Sequence, residues 1–123
     1  MSAHVLVIDD DNLVLTLVSD LLSEAGFRVS TSACGVYANH IIYGKTPPDL
    51  ILLDIMMPLM SGIKKARILK QREKSRNIPI MFLSSTQDEE LKRLASEANV
   101  EDYLPKPFTV ESLISKVRNL LPA

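Results

Sequence analysis

Apolar runs of four residues, each stopping at polar side chains and each followed by a segment of helical period, constrain this chain most. Val5 to Ile8 stops at Asp9, Asp10 and Asp11; Leu50 to Leu53 stops at Asp54; Ile80 to Leu83 stops at Ser84, Ser85 and Thr86. Runs this short and uniformly apolar read as strands covered on both faces. Phe27-Arg28-Val29-Ser30 alternates instead, as an edge strand does, and Asp102 to Pro105 makes a short fifth strand.

The intervening segments carry the helical period. Val14, Leu17, Val18, Leu21, Leu22 and Ala25 recur at the spacing of one helical face, and Gly26 supplies a left-handed stop. A weaker segment holds Ala38, Ile41 and Ile42 before Gly44, and Pro47-Pro48 breaks the chain. Ile63, Ala66 and Leu69 stripe the third helix. Thr86-Gln87-Asp88-Glu89 reads as a capping box for a fourth, whose core face is Leu91, Leu94, Ala95 and Ala98. Thr109 caps a fifth, with Val110, Leu113, Ile114, Val117, Leu120 and Leu121 on one face. Strand then helix, repeated five times, predicts an α/β fold with a five-stranded, doubly wound parallel sheet, because parallel strands need crossovers and crossovers are right-handed.

Length and charge narrow the function. A chain of 123 residues buries enough surface for one core and leaves no room for a second ordinary domain, so one domain is expected over 1–123. Fourteen Lys and Arg against 15 Asp and Glu give a net charge of −1, which argues against a general nucleic-acid coat or a polybasic membrane anchor. Cys34 is the single cysteine, so no intrachain disulfide or cysteine-based zinc cluster is possible, and it reads as a small, buried or half-buried thiol. The N-terminus runs quickly into three aspartates and does not read as a signal peptide, so a cytoplasmic protein without a membrane segment is expected. The average charge hides a basic stretch: residues 64 to 76 hold Lys64, Lys65, Arg67, Lys70, Arg72, Lys74 and Arg76 against Glu73. A solvated helix face is its default reading, and steering of an acidic partner is the alternative.

In open parallel sheets ligands bind beyond the carboxyl ends of the strands, so the residues that terminate the strands are the candidates. Asp9, Asp10 and Asp54 would repel one another on a shared rim unless a cation neutralised them. A hard divalent ion such as Mg²⁺ suits that oxygen-rich set and leaves positions open for a phosphate. Lys106 supplies a point charge for a phosphoryl oxygen and the Ser84 hydroxyl a donor for another. Asp11 reads as a helix cap or a solvated charge. His4 and His40 lack ligand-spaced partners and read as surface or packing residues, and Met56, Met57 and Met60 read as loop packing.

Ile8-Asp9-Asp10, Asp54-Ile55-Met56-Met57-Pro58, Leu83-Ser84-Ser85 and Tyr103-Leu104-Pro105-Lys106-Pro107-Phe108 together resemble the receiver domain of two-component response regulators, of the single-domain, chemotaxis-regulator kind. The resemblance runs from Val5 to about Leu121 and implies the flavodoxin-like (βα)5 fold. It further implies that Asp54 is the nucleophile accepting a phosphoryl group from a histidine kinase or histidine phosphotransfer protein. Asp10 would ligate Mg²⁺ directly, Asp9 mainly through water, and the Met56 carbonyl would complete the protein's share of the shell. Lys106 and Ser84 would contact the phosphoryl group, and Tyr103 would be the aromatic switch. The surface of the fourth helix, fifth strand and fifth helix would then signal to a downstream protein. Relatives also imply a cis Lys106-Pro107 bond. Asn99 stands where glycine is common and tolerates left-handed backbone, and Ser61 replaces a common acidic residue.

Two other classes are weighed against this one. A phosphohydrolase with an aspartyl nucleophile needs an acid/base carboxylate two residues on, where this chain has Met56. A flavodoxin-like electron carrier needs a hydroxyl- and glycine-rich phosphate loop where this chain has Asp9-Asp10-Asp11. The remaining alternative is a receiver-fold interaction module that works without phosphate.

Overall fold

The computed structural model describes residues 2–57 and 60–121. Strands and helices alternate along the chain: β1 His4–Ile8, α1 Asn12–Glu24, β2 Arg28–Ser32, α2 Asn39–Ile42, β3 Leu50–Asp54, α3 Gly62–Gln71, β4 Ile80–Ser84, α4 Asp88–Glu97, β5 Asp102–Pro105 and α5 Val110–Leu120. All strand pairs are parallel, in the order β2-β1-β3-β4-β5. The (βα)5 architecture expected from the alternation of runs is therefore the one observed. The chain leaves β1 toward one edge of the sheet and returns to the other side for β3, so the topological switch falls between β1 and β3.

The three central strands are buried at every position because both faces of the sheet are covered. Since neighbouring strand residues point to opposite faces, each run feeds two cores. Leu6, Ile8, Ile51, Leu53, Ile80 and Phe82 meet α2, α3 and α4 on one side. Val5, Val7, Leu50, Leu52, Met81 and Leu83 meet α1 and α5 on the other. Each fully buried Leu or Ile contributes about 1.5–3 kcal/mol of transfer free energy, so these strands anchor the rim above them.

Local chemistry sets the helix ends. Asp11 caps α1 by accepting from the Leu13 N–H, which settles its role as a cap. Thr109 and Ser112 form a reciprocal capping box at α5. Gly26, at φ 96°, and Asn99, at φ 58°, take the left-handed conformations that end α1 and α4. The Lys106-Pro107 bond is cis.

Several expectations shift. The edge strand β2 runs to Ser32 rather than ending at Ser30, because its register follows β1 to Ile8↔Ser32. Leu17 faces solvent: the buried line of α1 is Leu15, Val18 and Leu22, and Leu17 lies about 100° around the helix from Val18. Val110 is likewise exposed, at the first turn of α5. Thr86 does not cap α4. The cap position is Gln87, which makes no side-chain capping bond, and the Thr86 hydroxyl is engaged elsewhere.

Candidate functional site

The sheet register assembles the rim. Ile8 pairs with Leu53, so Asp9 and Asp54 emerge side by side at the switch point between β1 and β3. Ser84 pairs with Pro105, which brings the start of the β5–α5 loop and Lys106 alongside the end of β4. The Lys106 N–H donates to the Ser84 carbonyl at 2.7 Å and closes this side of the rim. Gly62, the first residue of α3, seals the back: a Cβ there would lie 2.1 Å from the Asp54 carbonyl oxygen, so only glycine permits this approach.

The three carboxylates meet. One oxygen each from Asp9, Asp10 and Asp54 lies within 4.8 Å of the others, and Asp9 and Asp54 are buried while Asp10 is exposed. Asp9 accepts from the Asp11 N–H at 2.9 Å and from the Lys106 ammonium at 2.8 Å. Asp54 accepts from the Met56 N–H at 3.3 Å, and Lys106 lies 4.0 Å away. Burial, and then the negative charge of Asp9, push the Asp54 carboxyl up from 3.8 to about 6; Lys106 and the Met56 N–H oppose that rise. A set of hard oxygen donors with excess negative charge and an exposed member open to water is what a small divalent cation requires. The cluster fits such an ion on donor chemistry alone.

The remaining candidates have definite places. Ser84 is buried at the end of β4, and its hydroxyl pairs with the Thr86 hydroxyl at 2.8 Å and accepts the Thr86 N–H at 3.1 Å. Tyr103 is half-buried on β5 against the α2–α3–α4 core, with the Lys116 ammonium 5.3 Å from its ring centre. Met56 is exposed beside Asp54, and Met57 packs partly against the core. Pro58 of the quoted motif lies outside the described residues. Cys34 is half-buried, His40 is exposed, and His4 is a buried packing residue whose ring bonds Ser30 and the Pro47 carbonyl.

The basic segment is thinner than its composition suggests. Lys65 is buried and donates to the Asn39 side chain. Lys70 pairs with Glu101 at 2.8 Å and donates to the Ile78 carbonyl. Arg72 lies over the Tyr43 ring. Lys64, Arg67, Lys74 and Arg76 are exposed and make no ion pair among the described residues. No helix among those residues is long and apolar enough to cross a membrane.

Comparison with known proteins agrees with this geometry. Residues 5–118 match the response regulator receiver domain family, and the chain belongs to it. The response regulator MprA of Mycobacterium ulcerans is 38% identical over 122 residues, which cover 98% of this chain and 51% of that protein. The chain spans about half the length of the curated relatives it matches. Among solved structures, the chemotaxis protein CheY4 of Vibrio cholerae superposes with a TM-score of 0.90 at 29% identity, covering 98% of this chain and 100% of that one. The receiver domain of the sensor histidine kinase PA1611 from Pseudomonas aeruginosa superposes with a TM-score of 0.87 at 25% identity, covering 98% of each chain, and that structure holds a magnesium ion in its active-site cleft. The chain is thus a two-component receiver whose acidic cluster has the composition of an aspartyl phosphorylation site. Chemistry in this family is done on the domain's own aspartate, not on an external substrate.

Proposed function

We propose that residues 1–123 form one receiver domain acting as a phosphorylation switch, with Asp54 taking a phosphoryl group from a histidine kinase or histidine phosphotransfer protein. The observation that carries this reading is the meeting of Asp9, Asp10 and Asp54 within 4.8 Å, with Lys106 bonded into the same cluster. An Asp54 carboxylate oxygen attacks phosphorus in line; a P–O bond forms, the P–N bond to the donor imidazole breaks, and the departing nitrogen keeps the bonding pair. Asp54, raised to about 6, is still ionised at neutral pH, as the attack needs. Asp9, Asp10, Asp54 and the Met56 carbonyl would hold Mg²⁺, which when bound offsets the carboxylate charge and acts as a Lewis acid toward phosphoryl oxygens.

Lys106 and Ser84 do the rest of the electrostatic work. Lys106 gives its positive charge to one phosphoryl oxygen and Ser84 donates its hydroxyl to another, stabilising charge that develops in the transition state. The new Ser84 position alters the packing of Tyr103, and the α4–β5–α5 surface shifts toward a form that a downstream protein binds. The reading is of a cytoplasmic protein that needs neither a membrane nor direct contact with nucleic acid.

Incubation with Mg²⁺ and acetyl phosphate or phosphoramidate, followed by intact mass measurement, tests it. One added phosphoryl group is expected, absent without Mg²⁺ and absent in Asp54→Asn. An unchanged mass under conditions that label another receiver would favour a module that works without phosphate.

A further inference from the structure

Thr86 departs from its sequence expectation, and the departure has a direction. Its hydroxyl belongs, by sequence pattern, to the amino end of α4, where it would cap free N–H groups. In the structure α4 begins at Asp88 behind Gln87, with no side-chain cap. Both polar groups of Thr86 turn to Ser84 instead: the hydroxyls pair at 2.8 Å and the Thr86 N–H donates at 3.1 Å. Among the described residues, Thr86 is the one hydrogen-bond partner of the Ser84 hydroxyl. Ser84 itself is buried, so its hydroxyl cannot exchange these bonds freely for water.

Ser84 has one proton and two lone pairs to distribute. Turning its Oγ toward a phosphoryl oxygen on Asp54 breaks the pairing with Thr86 and frees the Thr86 N–H, two residues before α4. The pairing therefore stabilises the unphosphorylated arrangement and links its loss to the start of α4. Thr86 is half-exposed, so water can satisfy it once released. We propose that Thr86 is a positioning residue that holds the Ser84 hydroxyl in the resting state and couples its release to loosening of the first turn of α4. This rests on the reading of Asp54 as phosphoryl acceptor.

Thr86→Val keeps the shape of the side chain and removes the hydroxyl, whereas Thr86→Ser keeps the hydroxyl. Amide NMR titration with Mg²⁺ and beryllium fluoride, whose fluorines stand in for phosphoryl oxygens, reads the balance. Loss of one net hydrogen bond from the resting state should tighten beryllium fluoride binding about fivefold in Thr86→Val, with Thr86→Ser close to the parent. Amide exchange at Leu91, whose N–H donates to the Gln87 carbonyl across the first turn of α4, should be faster in free Thr86→Val than in the free parent. Thr86→Ala should show the same two effects if the valine variant folds poorly. Binding unchanged or weaker in both Thr86→Val and Thr86→Ala, or Thr86→Ser behaving like Thr86→Val, overturns the role of Thr86 while leaving Asp54 as acceptor. A folded parent that binds no beryllium fluoride and takes no phosphoryl group overturns both.

Discussion

The Lys106 ammonium is seated on Asp9, at 2.8 Å, and stands 4.0 Å from the carboxylate of Asp54. Asp9 is almost wholly buried, with its side chain 1% exposed, so this pair is not a surface ornament. It leaves the Asp54 oxygens less neutralised by the lysine than those of Asp9, and that less neutralised carboxylate is the proposed nucleophile.

Removing the lysine leaves Asp9 as a buried charge without its cation. Lys106→Met should destabilise the metal-free protein at neutral pH by about 3 kcal/mol, the usual cost of breaking one side of a buried pair. Urea unfolding with and without MgCl₂ checks this, and Mg²⁺ should recover part of the loss by taking over the neutralisation. Equal stability of parent and variant would mean that Asp9 does not depend on Lys106.

Asp54 gives the pH dependence. Its folded-state carboxyl lies near 6 and its unfolded value is 3.8, so the native state binds more protons between these values and stability falls as pH rises through that window. The full penalty, at most about 3 kcal/mol, is present above pH 6 and absent below about pH 4. Asp54→Asn should therefore be more stable than the parent at neutral pH in EDTA, with the advantage disappearing on acidification. Chemical denaturation at a series of pH values measures it, and a constant difference would contradict the assignment.

At Gly62 two effects compete. Alanine is the better helix former by up to about 1 kcal/mol, which would favour Gly62→Ala in α3. Its Cβ, however, would fall 2.1 Å from the Asp54 carbonyl oxygen, and backbone cannot yield there without moving the acceptor. The clash should win: a net loss of about 3 kcal/mol in thermal or urea unfolding, with reduced phosphoryl uptake in the folded fraction. A stabilised variant would show that the β3–α3 junction is looser than described.

Lys65 behaves in the opposite way. Burial, and then the nearby Arg72, hold its ammonium below the ordinary lysine value of 10.5. The unfolded chain thus keeps its proton to higher pH, and stability rises with pH as the buried group discharges. Lys65→Met replaces it with an apolar chain of similar length, and half-exposed Asn39 can turn to water. The variant should gain about 1 kcal/mol at neutral pH, shrinking toward pH 10.5. A marked loss would show that the bond to Asn39 outweighs desolvation.

These residues also show what the sequence made legible. Asp9, Asp54 and Ser84 could be placed because each ends an apolar run, and a parallel sheet collects strand ends on one rim. Lys106 follows from the short fifth strand by the same rule. Leu17 and Lys65 were misplaced because composition and approximate helical spacing do not fix which side of a helix meets the sheet; Leu17 is exposed and Lys65 buried. Thr86 was misplaced for a different reason. Capping is a local preference, and the buried Ser84 hydroxyl offered a partner from the preceding strand that outcompeted it. The chemistry of the rim was readable residue by residue, whereas the contacts between its hydroxyls needed coordinates.

The identity of the acceptor is the central claim, and borohydride trapping tests it most directly. After incubation with Mg²⁺ and acetyl phosphate, borohydride reduces an aspartyl phosphate to homoserine, and peptide sequencing by mass spectrometry locates the converted residue. Conversion at position 54 alone, dependent on Mg²⁺, is the predicted result. Conversion at Asp9 or Asp10, or none in protein that has gained a phosphoryl group, would contradict it.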